Sequence, residues 1–146
     1  MDTTPINILL VEDNDDDIVI IKKVFKRLKL TNPLYIVHNG EEALDFLFHK
    51  GAYSSLETSP KPGLIFLDIN MPIMDGFTTL ERLKQNPQTK CIPVIMLTVS
   101  DREEDIVKSY ANGAVSYVTK PMDFEQFVKV IEQFDIYWTL VSKIPK

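Results

Sequence analysis

The sequence predicts an α/β fold in which helices cover both faces of a parallel sheet. Short apolar runs alternate with amphipathic stretches five times along the 146 residues, as expected for repeated strand–helix units. One run, Leu64–Leu67, is apolar without interruption, which is typical of a parallel strand buried on both faces. Hydrophobic residues make up 45% of the chain and charged residues 25%, an ordinary balance for a globular domain. The length suits one domain.

The first two units follow from strand-forming runs and helical spacing. Ile6–Val11 predicts the first strand, and Asn14 and Asp15 are both residue types that can cap the helix after it. The apolar stripe of that helix consists of Ile18, Ile21, Val24, Phe25 and Leu28. Tyr35–Val37 predicts the second strand, and Glu41–Phe48 predicts the second helix. Gly, Ser and Pro residues in Gly51–Pro62 predict a surface loop.

The next three strands repeat the pattern. The third strand, Leu64–Leu67, precedes a helix predicted over Phe77–Lys84. Pro93–Leu97 predicts the fourth strand, because proline is tolerated at the first residue of a strand. A helix over Asp101–Ala111 and a strand over Val115–Val118 complete the predicted sheet. Parallel strands joined in this way imply right-handed crossovers.

The final helix is predicted to be long. It begins at Asp123 and extends to about Val141. A helix of about 20 residues spans about 30 Å, so its last turns are expected to extend beyond the sheet. These turns carry Tyr137 and Trp138, and exposed aromatic area at a helix end marks an interface. We predict a homodimer through the fourth helix, the fifth strand, the fifth helix and its extension; alternatively, Trp138 folds back onto its own domain.

The charge and cysteine content narrow the class of protein. Asp and Glu number 21 against 16 Lys and Arg, which argues against nucleic acid as the partner. Five of those acids lie within residues 12–17. The single cysteine, Cys91, excludes an internal disulfide and a multi-cysteine zinc site, and it suits a reducing compartment. Because the sequence shows neither a secretory signal nor a run of about 18 apolar residues, we expect a cytoplasmic protein that does not enter a membrane.

Polar residues mark the carboxyl ends of the predicted strands. Glu12 and Asp13 follow the first strand, and Asp68 follows the third. Thr98 lies at the end of the fourth strand, and Lys120 follows the fifth strand. Parallel strands place these ends at one edge of the sheet, where the sites of open α/β folds lie. Three carboxylates repel one another unless a cation joins them or their pKa values rise, and one lysine does not balance them, so a divalent ion such as Mg2+ is predicted.

A divalent ion, a carboxylate and a lysine together favour phosphoryl transfer. A carboxylate can attack phosphorus and carry an acyl phosphate. The metal ion and the lysine then offset charge on the phosphoryl oxygens. The hydroxyl of Thr98 could donate a hydrogen bond to the attached group.

The residues around these positions resemble the receiver domain of two-component response regulators. The matching strings are LLVEDN at 9–14, LDINMPIMDG at 67–76 and SYVTKP at 116–121. The resemblance covers the chain from about Ile6 to Trp138. It implies a flavodoxin-like (βα)5 fold with strand order 2-1-3-4-5. One receiver domain would occupy residues 1–146, with a core over about 6–130, a helical extension over about 131–146 and no output domain.

The resemblance also implies a phosphoacceptor and a metal site. Asp68 would receive the phosphoryl group from a sensor histidine kinase. Mg2+ would be held by Asp13, Asp68 and the backbone carbonyl of Asn70, with Glu12 acting through water. The first acidic position is often Asp in this family and is Glu12 here, which changes the reach of that carboxylate.

Three further residues receive roles from the same resemblance. Lys120 would contact the phosphoryl group, and the following Pro121 completes the matching string. Thr98 and Tyr117 would form the switch pair, with Thr98 moving toward the phosphoryl group and Tyr117 turning inward behind it. The implied protein is a single-domain response regulator that changes conformation and partner binding, and catalyses only its own phosphorylation and dephosphorylation.

A narrower resemblance points to the single-domain regulators associated with phytochromes. It rests on the long loop after the second helix, on SYANGA at 109–114 and on IEQFDIYW at 131–138. It implies a phytochrome-type kinase as partner. The alternatives are a small aspartyl-phosphate phosphatase and a flavodoxin-like cofactor binder. Position 70 is Asn where such phosphatases carry a second acid, and the five glycines form no phosphate-binding loop.

Overall fold

The computed structural model describes residues 6–54, 61–98, 103–119, 124–125, 127–129 and 132–133. Its strands are β1 (Ile8–Val11), β2 (Leu34–Val37), β3 (Leu64–Asp68), β4 (Val94–Thr98) and β5 (Ser116–Thr119). Its α-helices with described bounds are α1 (Asp15–Arg27), α2 (Gly40–Leu47), α3 (Gly76–Gln85) and α4 (Glu103–Ala111). The bounds predicted from the apolar runs differ from these by no more than two residues.

The five strands form one parallel sheet in the order β2-β1-β3-β4-β5, and the predicted fold class is confirmed. The register pairs Val11 of β1 with Leu67 of β3, and Asp68 of β3 with Leu97 of β4. The carboxyl ends of these three strands therefore lie side by side. The strand order reverses between β1 and β3, which is where open α/β sheets form their sites.

Helices cover both faces of the sheet because successive residues of a strand point to opposite sides. Leu10 and Phe66 pack on one side with α1 and the C-terminal helix, whereas Leu9 and Ile65 pack on the other with α2 and α3. Buried helical residues of the first layer include Ile18, Ile21, Val24, Phe25, Phe127 and Val128. Those of the second layer include Ala43, Phe46, Leu80 and Leu83.

Each of the first three helices begins with a side-chain cap directly after a strand or a short loop. Of the two predicted cap residues, Asn14 is the cap of α1, since its side chain accepts a hydrogen bond from the N–H of Asp17 at 3.0 Å, and Asp15 is the first residue of the helix. Asn39 caps α2 and Asp75 caps α3 in the same manner, at 2.8 Å each. These caps satisfy backbone donors of the first helical turn and fix where each helix leaves the sheet edge.

The predicted surface loop Gly51–Pro62 is corrected at its start. Gly51–Tyr53 forms one 3-10 turn. The ring of Tyr53 packs edge-on against Phe46 with 5.2 Å between centroids, and its hydroxyl donates to Glu42 at 3.2 Å. This contact with α2 holds the turn in place, whereas residues 55–60 lie outside the described part of the chain.

The C-terminal helix is described only in part. Residues 124–125, 127–129 and 132–133 are helical, as predicted, and the ring of Phe127 lies 6.0 Å from that of Phe66. The predicted extension beyond 133, including Trp138, lies outside the described residues.

Within the described residues, none of the helices has both the length and the apolar run that crossing a bilayer requires.

Candidate functional site

Three carboxylates converge at the carboxyl edge of the sheet. Glu12 and Asp13 follow β1, and Asp68 is the last residue of β3. One carboxylate oxygen of each lies within 4.8 Å of the others. Glu12 is 0% exposed and Asp68 is 4% exposed, whereas Asp13 is open to solvent. The predicted acidic cluster is therefore present, with two of its members buried.

Backbone donors next to the cluster orient two of these carboxylates. The N–H of Asn14 donates to Glu12 Oε2 at 3.3 Å, and the N–H of Asn70 donates to Asp68 Oδ1 at 3.4 Å. In each case the donor lies two residues after the acid, where the chain turns away from the strand end. These bonds hold the carboxylates at the edge rather than within the sheet.

The loop from β3 to α3 closes tightly on the site. The N–H of Gly76 donates to the carbonyl of Ile69 at 2.8 Å. A Cβ atom at Gly76 would overlap the carbonyl oxygen of Asp68 and would lie 2.7 Å from Cα of Ile69. Only a residue without a side chain allows α3 to start this close to the phosphoacceptor candidate.

The donor set fits a hard divalent cation. The carboxylate oxygens lie within 4.8 Å of one another, and two unit charges at that limit repel by about 3 kcal/mol at an effective dielectric constant near 20. Carboxylate and carbonyl oxygens are the ligands that Mg2+ and Mn2+ prefer. Glu12, Asp13 and Asp68 would hold such an ion. When bound, it offsets the charge of the carboxylates and of a phosphoryl group beside them.

The other predicted site residues are placed less completely. Thr98 is the last residue of β4, and its Cα pairs with that of Thr119. Its side chain is outside the described part of the structure. Tyr117 lies in β5, half-buried against the layer that contains α2 and α3. Lys120 lies outside the described residues. The structure thus brings Asn70 beside the acidic cluster and leaves the roles of Thr98, Tyr117 and Lys120 as predictions.

Two residues between the end of β3 and the first turn of α3 carry no signal in the sequence that marks them for the site. Gly76 belongs to an Asp-Gly pair, which signals a turn but not a close approach to Asp68. Ile73 has a φ of +70° and is 75% exposed. No turn signal in the sequence marks an isoleucine for that conformation.

Comparison with known proteins agrees with this architecture. The family model described as response regulator receiver domain matches residues 8–132. Response regulator Rcp1 of Synechocystis sp. strain PCC 6803 is 37% identical over 138 residues, which cover 94% of this chain and 92% of Rcp1. The crystal structure of Mn2+-bound Rcp1 has a TM-score of 0.81 at 37% identity, covering 97% of this chain and 100% of that one.

A second solved structure is similar over nearly the whole chain. It is the phosphorylated cyanobacterial phytochrome response regulator RcpA, with a TM-score of 0.84 and 31% identity over 98% of this chain and 100% of RcpA. These similarities favour a signalling domain over the phosphatase and the cofactor binder. The Mn2+-bound relative agrees with a divalent-cation site among the acids. The chain therefore belongs to the response regulator receiver domain family, whose members accept a phosphoryl group, and it is related to phytochrome response regulators.

Proposed function

We propose that Asp68 accepts the phosphoryl group from a phosphohistidine of a sensor histidine kinase, with Mg2+ as the cation. The observation that carries the proposal is the convergence of Asp68 with Glu12 and Asp13 at the switch point of the sheet. An oxygen of the Asp68 carboxylate bonds to phosphorus while the P–N bond of the donor breaks. The histidine nitrogen keeps the electron pair, and the product is an aspartyl phosphate.

The cation would be shared among the acids and one backbone group. In this proposal Asp13, Asp68 and the carbonyl of Asn70 hold Mg2+, and Glu12 acts through water. The convergence of three carboxylates, two of them buried, supports it, because a cation between them offsets their mutual repulsion. The position of Asn70, whose N–H already contacts Asp68, supports its participation.

Three residues would contact the attached phosphoryl group or change conformation in response to it. Lys120 offsets its charge, the Thr98 hydroxyl donates to one of its oxygens, and Tyr117 turns inward as Thr98 moves. The pairing of β4 with β5 supports this proposal, because it sets Thr98 and Tyr117 on neighbouring strands.

Labelling with acetyl phosphate tests the phosphoacceptor. In the presence of Mg2+, the chain should gain an acid-stable, base-labile phosphoryl group, and Asp68→Asn should abolish it. Asp75→Asn is the matched control, because Asn also caps α3, and it should keep the label. Removal of Mg2+ by a chelator should stop the reaction. A label that persists in Asp68→Asn would contradict the assignment.

We also propose a phytochrome-type kinase as the donor and the cytoplasm as the compartment. The similarity to the phytochrome response regulator RcpA supports the kinase, and the exposed thiol of Cys91 suits a reducing environment. Phosphotransfer to the chain from each histidine kinase of the source organism is the test. Faster transfer from kinases without a light-sensing domain would contradict the phytochrome partner. It would not affect the assignment of Asp68 as the phosphoacceptor.

A homodimer through α4, β5 and the C-terminal helix completes the proposal. Among the described residues, five large hydrophobic side chains are exposed, and three belong to this part of the surface. They are Val107 (58%) and Tyr110 (49%) of α4, and Val115 (49%), which precedes β5. Exposed apolar side chains on α4 and next to β5, two elements in contact, favour an interface.

A further inference from the structure

The loop between β3 and α3 holds an isoleucine in a strained and exposed conformation. Ile73 has a φ of +70°, and across it the N–H of Met74 donates to the carbonyl of Pro72 at 2.7 Å. A hydrogen bond between residues two apart, with positive φ at the residue between them, is the rare and strained form of γ-turn. The side chain at its centre is 75% exposed.

Helix termination does not account for this conformation. The other described non-glycine residues with positive φ are Lys29 and His49. Each follows the C-cap residue of a helix, where a left-handed residue commonly ends the helix. Ile73 lies in a loop, and its branched Cβ makes positive φ less favourable still. Gly or Asn would relieve the strain and expose less apolar surface, so folding does not explain the isoleucine.

The strained residue lies beside the reacting group. Its loop leaves β3 at Asp68 and returns to the strand end through the hydrogen bond from Gly76 to Ile69. Because Asp68 is 4% exposed, a donor protein must bring its phosphohistidine to this edge and lay the surrounding surface against it. Ile73 is a large, exposed apolar side chain that this surface would meet in the loop.

The charge at the same edge narrows the choice of partner. Asp13, Asp15 and Asp16 are exposed carboxylates at the end of β1 and in the first turn of α1. They would repel an anionic membrane, and they would repel the same edge of a second copy. We infer that Ile73 is a specificity-determining residue for phosphoryl transfer, and that its side chain packs against an apolar surface of the protein that donates the phosphoryl group. The inference rests on the proposed function, because it takes Asp68 as acceptor and a protein as donor.

The test compares phosphoryl transfer from a protein donor with transfer from a small-molecule donor. The donors are ATP-phosphorylated histidine kinases of the source organism, purified as a panel, and acetyl phosphate. Ile73→Asn should slow transfer from the kinases that phosphorylate the unaltered chain by about tenfold, mainly through KM, because a buried isoleucine contact is lost. Labelling by acetyl phosphate should stay within about twofold, since the loss of an apolar contact leaves the acids in place. Ile73→Leu is the matched control: it keeps the apolar contact and should transfer normally.

Two further measurements distinguish an apolar donor contact from a change in the fold or in the charge of the surface. The temperature of unfolding of Ile73→Asn should rise by about 2–4 °C, because Asn tolerates positive φ. The ratio of transfer rates between the unaltered chain and Ile73→Asn should not change with ionic strength, since an apolar contact is not screened by salt.

Four results would contradict the inference or the function on which it rests. Equal kinase transfer to Ile73→Asn, or an equal loss with acetyl phosphate, would overturn the inference, because the residue would then serve no donor contact or would shape the site itself. Dissociation of a homodimer by Ile73→Asn would assign the side chain to a second copy. A panel in which no kinase phosphorylates the unaltered chain would contradict the proposed function, and acetyl phosphate labelling would still test Asp68 separately.

Discussion

The charge of Glu12 has opposite effects on folding and on cation binding. Its carboxylate is fully buried and lies within 4.8 Å of those of Asp13 and Asp68. Without a cation these charges repel, whereas with one they attract it. The residue therefore lowers the stability of the cation-free chain and raises the affinity of the site for the cation.

Glu12→Gln separates these effects. In a chelator, the free energy of unfolding should rise by about 1–3 kcal/mol, because one buried charge is removed and Gln can still accept from Asn14. The dissociation constant for Mg2+ should increase by at least about tenfold, since an anionic partner is lost. Urea unfolding and calorimetric titration measure the two quantities. Glu41→Gln, an exposed acid in the first turn of α2, is the control, and destabilisation of Glu12→Gln in chelator would contradict the charge argument.

Gly76 gives a second prediction at a single residue. Ala normally stabilises a helix by about 0.5–1 kcal/mol relative to Gly. Here its Cβ would overlap the backbone at Asp68 and Ile69, and overpacking of this kind costs about 1–3 kcal/mol. Gly76→Ala should therefore lower the free energy of unfolding and weaken Mg2+ binding, because the strand end must shift. Both effects are measured by urea unfolding and titration.

The control for that variant is Gly51→Ala. Gly51 has a φ of +55°, and a Cβ there would lie 3.7 Å from the nearest side-chain atom, Asp45 Oδ2. The change should cost about 1–2 kcal/mol through backbone conformation alone and should leave Mg2+ affinity unaltered. Equal Mg2+ affinities for Gly76→Ala and the unaltered chain would show that a Cβ atom at position 76 does not displace the carboxylates at the end of β3.

At the scale of elements, burial made the strands predictable. A strand covered by helices on both faces must be apolar throughout, so runs such as Leu64–Leu67 mark their own positions. The 3-10 turn Gly51–Tyr53 could not be predicted in this way. Its anchor is the contact of Tyr53 with Phe46 and Glu42, and that contact depends on how α2 packs, not on local spacing.

The anchoring of this turn should depend on pH. Burial, and after it the nearby Glu42, raise the pKa of Tyr53 above its ordinary value of 10.0. As the pH rises past 10, the unfolded chain loses the tyrosine proton before the folded chain does, so the free energy of unfolding falls. Tyr53→Phe lacks this proton. The difference in free energy of unfolding between the two proteins, measured by urea at several pH values, should favour the unaltered chain below pH 10 and shrink above it. A difference that stays constant would contradict the role of the Tyr53 hydroxyl.

At the scale of the molecule, topology made the main part of the site predictable. Residues that follow β1 and β3 must meet, because these strands are parallel neighbours, and so the sequence locates Glu12, Asp13 and Asp68 together. The close approach of Gly76 and the conformation of Ile73 arise only when the loop closes on the strand end. The excess of acids behind the net charge of -5 equals the number of acids within residues 12–17, which is five. They lie around the cation site and in the first turn of α1.

The proposed homodimer requires more surface than α4 and β5 expose. A stable interface buries about 800 Å² on each partner, which exceeds what three exposed side chains supply, so the C-terminal helix must contribute. The full chain should therefore sediment as a dimer, and a chain that ends before Ile136 should sediment as a monomer.

Two exposed valines on different helices provide a matched pair for the same measurement. Val107 of α4 lies on the proposed interface, whereas Val19 lies on α1, outside it; they are 58% and 46% exposed. Val107→Asp should dissociate the dimer, because a charge buried between two copies without a partner is unfavourable. Val19→Asp should leave it intact, and neither should change monomer stability by more than about 0.5 kcal/mol, since both side chains face water. Dimers that dissociate equally in both variants, or a full chain that sediments as a monomer, would contradict this interface.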